Sequence, residues 1–246
     1  MATRTRAAAK PRPAKAKPSR GLLSRLLRWV GAGVVVFTLG SFLWVALYRV
    51  VPPPLTFTQV ADLIDGRRLS RDWMSIDAMD PDMARAAIAG EDARFCRHSG
   101  FDAEAIAGAA INNLKGGRIR GGSTISQQTA KNAFLWQNGG YARKALEAWF
   151  TVLIELIWPK RRIMEMYLNV AETGIGTYGA NAGAQRYFQH DASRLTRTEA
   201  ARIAAVLPQP KKRAATAPKG FTRRYGNSIA ARMRVVERDG LDACVR

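Results

Sequence analysis

The residues best suited to chemistry in this chain begin with a pair of acids, Glu91 and Asp92, that ends an alanine-rich run. A carboxylate in such a position can take the proton of a hydroxyl group, which is a poor nucleophile near neutral pH. The apolar residues 86–89 would raise the pKa of Glu91 toward the range useful to a base, whereas nearby cations would lower it. We interpret His98, seven residues further on, as packing and hydrogen bonding around Glu91 rather than as a base.

Basic side chains form a second set of candidates. Lys131 lies in the segment GGSTISQQTAKN (121–132), and Arg143 and Lys144 precede Glu147 at helical spacing. Arginine suits bidentate contact with phosphate, and lysine acts as a compact point charge, so the set could stabilise an anionic leaving group. We expect Glu147 to orient these cations rather than to react.

The Gly-Gly-Ser-Thr sequence that contains Ser123 and Thr124 predicts the start of a helix. The free backbone amides of that helix could also face a phosphate group. Taken singly, however, each of these polar segments has a structural explanation: a solvated acid pair, a glycine-rich turn, or a surface ion pair of little energetic value.

The elements that must position these residues are mostly helical. Asp80-Pro81 is typical of an N-cap followed by proline at the first helical position. The run KALEAWFTVLIELIW (144–158) is apolar on nearly every side, as a buried helix would be, and Pro159 separates it from a further helix in RRIMEMYLNVAE. Because alternating apolar runs are few, we predict one mainly α domain over residues 56–246.

The charge of the chain is unusual: 39 Lys and Arg stand against 19 Asp and Glu, for a net charge of +20. Such an excess indicates an anionic partner, which could be nucleic acid, an anionic lipid surface or a phosphorylated substrate. Residues 1–28 hold nine basic side chains and no acid. We predict a disordered basic tail there.

A membrane anchor is predicted directly after the tail. The segment WVGAGVVVFTLGSFLWVALY (29–48) has 20 residues without a charge and would span about 30 Å as a helix, the thickness of a bilayer core. It is longer than the apolar part of a signal peptide and has no clean cleavage site after it. The positive-inside rule places the N-terminus in the cytoplasm and the domain outside, beyond a proline-rich linker at 49–55.

The two cysteines, Cys96 and Cys244, are far apart and lie in no Cys-x-x-Cys pair or Cys/His cluster. A disulfide framework or a zinc site is therefore not expected. A single long-range disulfide in an oxidising compartment stays open.

Five segments, in order, strongly resemble the motifs of glycosyltransferase family 51, the peptidoglycan glycosyltransferases. These segments are EDARFCRHSG, GGSTISQQTAKN, RKALEA, KRRIMEMYLN and GTYGANAGAQRYF. The resemblance implies a lysozyme-like, mainly helical domain with a small membrane-proximal lobe. It also implies transfer of a growing lipid-linked glycan chain to lipid II, with inversion to a β-1,4 bond and release of polyprenyl diphosphate, at the cytoplasmic (inner) membrane. No penicillin-binding transpeptidase motif is present, so we expect a monofunctional enzyme.

The resemblance also implies roles for residues. Glu91 matches the family's general base. Glu165 corresponds to the family's second essential glutamate, which would lie near the donor diphosphate and hold a basic side chain or a divalent cation in place. The predicted substrate-binding residues are Asp92, His98, Ser123, Thr124, Gln127, Gln128, Lys131, Asn132, Arg143 and Lys144. Tyr167 and Asn169 are positioning or structural. No cofactor is required, and a divalent cation is possible, although no ligand cluster is visible in the sequence.

Two further segments keep two interpretations each. The basic loop at 115–120 could gate the cleft or touch lipid headgroups. The apolar residues 134–136 could enter the bilayer or pack in the core.

Two other functions compete with polymerisation. A lysozyme-like hydrolase could use the same carboxylates with water as the acceptor. A non-enzymatic membrane protein could bind nucleic acid or scaffold an envelope complex through its basic tail. The predicted topology argues against nucleic acid, while cell-wall or division synthases remain possible partners.

Overall fold

The computed structural model of the protein describes residues 21–114 and 122–246, so the predicted tail up to residue 20 and the basic loop at 115–120 lie outside the described residues. Helices account for most of the described chain, as predicted. They are α1 (Leu22–Tyr48), α2 (Phe57–Ile64), α3 (Pro81–Glu91), α4 (Ala103–Leu114), α5 (Ile125–Phe134), α6 (Gly140–Ile157), α7 (Lys160–Val170), α8 (Ala180–Phe188), α9 (Arg197–Val206) and α10 (Gly220–Arg238). A short 3-10 helix covers Ala192–Arg194.

Three short strands complete the described elements: β1 (Ser70–Arg71), β2 (Glu172–Gly174) and β3 (Thr177–Tyr178). They form one sheet in the order β1-β3-β2. β1 pairs with β3 in parallel, Ser70 opposite Thr177, and β2 pairs with β3 antiparallel.

Helix α1 is longer than the predicted membrane segment. It begins at Leu22, so the prediction of disorder up to residue 28 is wrong for 22–28. The reason is that this stretch is mostly leucine and arginine, which favour helix, and it contains no proline or glycine before Trp29. Among the described helices, α1 is the one that is long and apolar enough to cross a membrane.

From Ser41 onward the end of α1 belongs to the compact domain. The indole of Trp149 donates to Ser41 Oγ at 3.0 Å, and that of Trp158 donates to the Val45 carbonyl at 2.8 Å. Phe134 stacks on Phe150 with 4.7 Å between ring centroids. Phe134 and Leu135 are thus buried, which favours core packing for these two, while Trp136 stays 45% exposed.

Two groups of helices build the core. α3, α9 and α10 pack together through small and apolar side chains, and α5 packs against α6 and α7. The composition of α6 suggested a helix buried on nearly every side, but the structure leaves one face open: Leu156 is 77% exposed. Composition alone does not show which face of an apolar helix finds a neighbour, because only packed faces are removed from solvent.

Local signals explain where the site-bearing helices begin. Asp80 Oδ1 accepts the Asp82 amide and Pro81 opens α3, as predicted. α5 begins with a reciprocal capping box, in which Thr124 Oγ1 accepts the Gln127 amide and Gln127 Oε1 accepts the Thr124 amide. Gly100, with φ of +88°, lies so close to α6 that a Cβ there would come within 2.8 Å of Thr151.

Cys96 and Cys244 form a disulfide, so the alternative that the sequence left open is the one adopted. The bond connects the C-terminal segment to the turn that follows α3. That turn includes Asp92, one residue after the end of the helix.

Candidate active site

Glu91 is the last residue of α3 and lies at the wall of a cavity. Its Oε2 accepts a hydrogen bond of 2.9 Å from Gln128 Nε2 on α5. Its Oε1 is buried and has no hydrogen-bond partner among the described residues. Burial raises the pKa of Glu91, and the Gln128 hydrogen bond, Arg213 and Lys131 oppose that rise. A carboxylate with a raised pKa and a free oxygen is suited to accept a proton.

Glu91 and its partner Gln128 line two different cavities. Glu91 lines a cavity of about 260 Å³ together with Asp92, Arg94, Asp102 and Ser123. Gln128 lines a larger cavity of about 470 Å³, whose wall also contains Lys131, Asn132 and Tyr167. The hydrogen bond between them therefore connects the walls of the two spaces.

The predicted cations lie on α5 and α6. Arg143 Nη1 donates to Glu147 Oε2 at 2.7 Å, and the Lys144 ammonium contacts the other oxygen of the same carboxylate. Glu147 is only 3% exposed, so it holds two basic side chains from a buried position. These are the contacts expected of an orienting acid.

The cations approach the Glu91 side of the domain. Lys144 Nζ lies 3.4 Å from Oγ of Ser123, which lines the cavity of Glu91. Burial lowers the pKa of Lys131, while the charges of Glu147 and Glu91 act to raise it. Lys131 is therefore within electrostatic reach of both carboxylates. Within the described chain its ammonium has no hydrogen bond or ion pair and is available for an anion.

Glu165, on α7, has partners of its own. Its Oε2 accepts the Ile76 amide at 3.1 Å, and its Oε1 forms an ion pair with Arg162. The Arg162 guanidinium also donates to the Tyr48 carbonyl, at 3.1 and 2.9 Å. Glu165 thus holds a basic side chain, as predicted for it, and that side chain connects α7 to the end of α1. Its place near the donor diphosphate stays a prediction.

Four predicted binding residues are engaged inside the protein. Asp92 Oδ2 accepts the Ile125 amide, and both Asp92 oxygens lie 3.0 Å from His98 Nε2. Thr124 and Gln127 form the capping box, and Thr124 Oγ1 also donates to the Gly100 carbonyl. These bonds fix the turn after α3 against the start of α5, and whether any of the four also contacts substrate stays a prediction.

The same bonds argue against a phosphate at the N-terminus of α5. The Asp92 carboxylate already accepts the first free amide of that helix, and Thr124 accepts a second. An anion bound there would have to approach a carboxylate. The position expected for phosphate is occupied by the protein's own negative group.

Three potential metal ligands come together among the described residues. One donor atom each of Asp92, His98 and Asp102 lies within 4.8 Å of the others. The Asp92–His98 hydrogen bonds account for their closeness, and Asp102 Oδ1 accepts the Ala105 amide. These hydrogen bonds engage the carboxylates, while His98 Nδ1 is buried without a partner among the described residues.

Asn169 and Tyr167, each predicted to be positioning or structural, differ in their contacts. Asn169 bonds both backbone groups of Met74 and the Glu165 carbonyl, so it is structural. Tyr167 lines the larger cavity, and its buried hydroxyl has no partner among the described residues.

Sequence reasoning missed two residues beside the base. The Tyr225 hydroxyl on α10 donates to the Gly90 carbonyl at 2.8 Å, which satisfies a free carbonyl at the end of α3. Arg213 lies over the rings of Phe221 and Tyr225 at 5.0 and 5.8 Å and donates to the Ala205 carbonyl. Both follow the recognised motifs, so no motif pointed to them.

Comparison with known proteins gives a consistent family. The family model described as Transglycosylase matches residues 58–234. The chain is 49% identical over 226 residues to the biosynthetic peptidoglycan transglycosylase of Caulobacter vibrioides, covering 92% of this chain and 97% of that protein. It is 46% identical over 217 residues to the Xanthomonas campestris pv. campestris protein of the same name, covering 85% and 88%. For the Rhodospirillum centenum protein of that name the identity is 44% over 225 residues, covering 91% and 97%.

Proposed function

This chain belongs to the transglycosylase family and is a glycosyltransferase of peptidoglycan biosynthesis, and on that premise we propose that it polymerises glycan strands with Glu91 as general base. The donor is a growing glycan chain on polyprenyl diphosphate, and the acceptor is lipid II. The observation that carries the proposal is the arrangement of Glu91. Its carboxylate is buried, one oxygen has no partner among the described residues, and Lys131 and Lys144 approach this side of the domain.

The proposed reaction balances as a single displacement. A hydroxyl of the acceptor sugar attacks the anomeric carbon of the donor, and the hydroxyl proton passes to Glu91. The bond from that carbon to the diphosphate oxygen breaks, and the diphosphate leaves with the electron pair. An α-linked diphosphate becomes a β-1,4 glycosidic bond, so the anomeric centre inverts.

Positive charge stabilises the leaving group in this proposal. Lys131 has no protein partner among the described residues, and Lys144 is partly exposed beside Ser123. Two cations near the departing diphosphate lower the free energy of the transition state, so that no strong general acid is needed. We therefore propose that no cofactor is required and that a divalent cation is a possible additional ligand of the diphosphate.

The membrane arrangement follows from two independent features. Nine basic residues and no acid precede residue 29, which favours a cytoplasmic N-terminus. The Cys96–Cys244 disulfide favours an oxidising compartment for the domain. We infer a single-pass protein of the cytoplasmic (inner) membrane with its domain outside and no nucleic-acid partner. Other wall or division synthases are possible partners.

The test is polymerisation of purified lipid II by the full-length protein in detergent or vesicles. Long β-1,4-linked strands are the expected product, with and without EDTA. Shortening of isolated wall strands without polymer formation would identify a hydrolase instead. A C-terminal reporter fusion that is active only outside the cytoplasm tests the orientation.

A further inference from the structure

The larger cavity contains a carboxylate that the proposed reaction does not use. Glu172 stands at the start of β2, and it lines this space of about 470 Å³ together with Gln128 and Lys131. Gln128 is the residue that holds Glu91. Glu172 therefore faces a volume whose wall includes the hydrogen-bond partner of the base.

Two buried polar atoms in the wall of this cavity have no partner among the described residues. They are Oε1 of Glu172 and the hydroxyl of Tyr167. Buried polar groups are nearly always hydrogen-bonded, because leaving one unpaired carries its full desolvation cost. Two such atoms at one cavity point to a polar ligand that completes both.

The neighbouring charges leave Glu172 Oε1 available. Lys211 Nζ lies 3.9 Å from Glu172 Oε2 and 3.6 Å from Oδ1 of Asp62, so one ammonium is shared by two carboxylates. Asp62 also pairs with Arg67 and accepts the Tyr178 hydroxyl at 2.7 Å. Asp62 is thus well neutralised. Glu172 has one cation within 4 Å among the described residues, on its other oxygen, and the Arg67 charge and the Gly176 backbone amide also act on it.

Half of the polar side chains in the wall are neutral amides, beside three lysines, Tyr167 and Glu172. The amides belong to Gln128, Asn132, Gln137, Asn138 and Gln209. Amides both donate and accept, as a ligand with hydroxyl and acetamido groups requires, and a carboxylate accepts from either group. Leu207 and Pro208 add apolar surface for the C–H face of a sugar ring.

We propose that Glu172 is a substrate-binding residue whose Oε1 accepts a hydrogen bond from a hydroxyl or acetamido N–H of a sugar unit in the larger cavity, beside the Tyr167 hydroxyl. The proposal rests on the proposed function, since the sugar belongs to the lipid-linked glycan. It places one unit of that glycan next to Gln128, and so next to the base.

The experiment uses full-length protein and lipid II, and it compares Glu172→Gln with Asp77→Asn. Asp77 is an exposed acid that lines neither the cavity of Glu91 nor the larger one, so its substitution matches the charge change. We expect Glu172→Gln to raise KM about tenfold, with kcat within about threefold, as loss of one hydrogen bond to a charged group would do. In a Glu91→Gln background, which stops turnover, the same substitution should weaken lipid II binding about tenfold.

The other outcomes are distinct. If wild-type protein makes no polymer, the proposed function fails. The measurement of lipid II binding still tests whether Glu172 contributes to binding. If wild-type protein polymerises but Glu172→Gln leaves KM and Kd unchanged, or lowers kcat alone, the assignment of Glu172 is overturned. Should Glu172→Gln not fold, Tyr167→Phe gives the same reading, because it removes only an unpartnered hydroxyl. Unchanged binding in that variant counts against the site.

Discussion

Gln128 and Glu91 are joined by a single hydrogen bond, in which the amide Nε2 donates to Oε2 of the carboxylate at 2.9 Å. The bond connects α5 to the last residue of α3 and stabilises the charged form of the acid. It therefore opposes the burial that raises the pKa of Glu91. The second oxygen stays free of protein partners among the described residues, which leaves it available for a proton.

The first prediction concerns the base itself. Glu91→Gln removes the proton acceptor and keeps the shape of the side chain, so we expect polymerisation to fall by about 10²- to 10⁴-fold. Lipid II turnover by the purified variant measures this effect. A variant that retained more than about a tenth of wild-type activity would refute the assignment of the base.

The same variant has an expected effect on stability, with a definite sign. Because the pKa of Glu91 is raised in the folded protein, the ionised side chain destabilises the fold as pH rises through that pKa. Glu91→Gln should therefore melt at or above the wild-type temperature at neutral pH. The difference should vanish below the unfolded glutamate pKa, about 4.3. Thermal melts at pH 4 and pH 7.5 measure both values.

A second prediction tests the hydrogen bond between α5 and α3. Gln128→Met removes the donor that lowers the pKa of Glu91, so that pKa should rise further. Because only the ionised form accepts a proton, activity is lost as pH falls, and the acid limb of the pH–rate profile should move to higher pH. Gln185→Met, on α8, is a matched control. An unmoved acid limb in Gln128→Met would mean that the bond does not tune the base.

The third prediction separates the two other glutamates. Glu147→Gln leaves Arg143 and Lys144 without their shared buried carboxylate, so we expect polymerisation to fall by about 10²-fold or more. Glu165→Gln weakens contacts to Ile76 and Arg162, so its main effect should be a lower melting temperature. Activity assays at a temperature where both variants are folded compare them directly. The reverse ranking would give Glu165 the larger part in the reaction.

The fourth prediction concerns the disulfide. Its cysteines are 148 residues apart in sequence, and loss of such a constraint should cost about 2–5 kcal/mol of folding stability. We expect reductant to lower the melting temperature of the wild-type protein and to leave the double variant Cys96→Ser, Cys244→Ser unaffected. Equal melting curves with and without reductant would show that the bond contributes nothing.

The sequence by itself determined the class of fold and one helix long and apolar enough for a membrane anchor, and it identified Glu91 as the candidate base. Helix signals such as Asp80-Pro81 and the Thr124–Gln127 box are local, since a cap needs only residues three positions apart. The 20-residue uncharged segment and the order of the motifs were equally visible without a structure. The spacing of Arg143, Lys144 and Glu147 also predicted that the glutamate pairs with both cations, because residues three and four apart share a helix face.

Only the tertiary structure decided how side chains from distant segments share the site. Glu147 and Glu165 are both glutamates that follow basic residues, and local spacing pairs each with a cation of its own helix. The additional bond from the Ile76 amide to Glu165 comes from a distant segment and depends on the fold. Asp92 and Thr124 are motif residues whose bonds turn out to be internal. Glu172, Tyr225 and Lys211 reach their neighbours from elements far along the chain. Side-chain direction and burial arise from long-range packing, which no local pattern encodes.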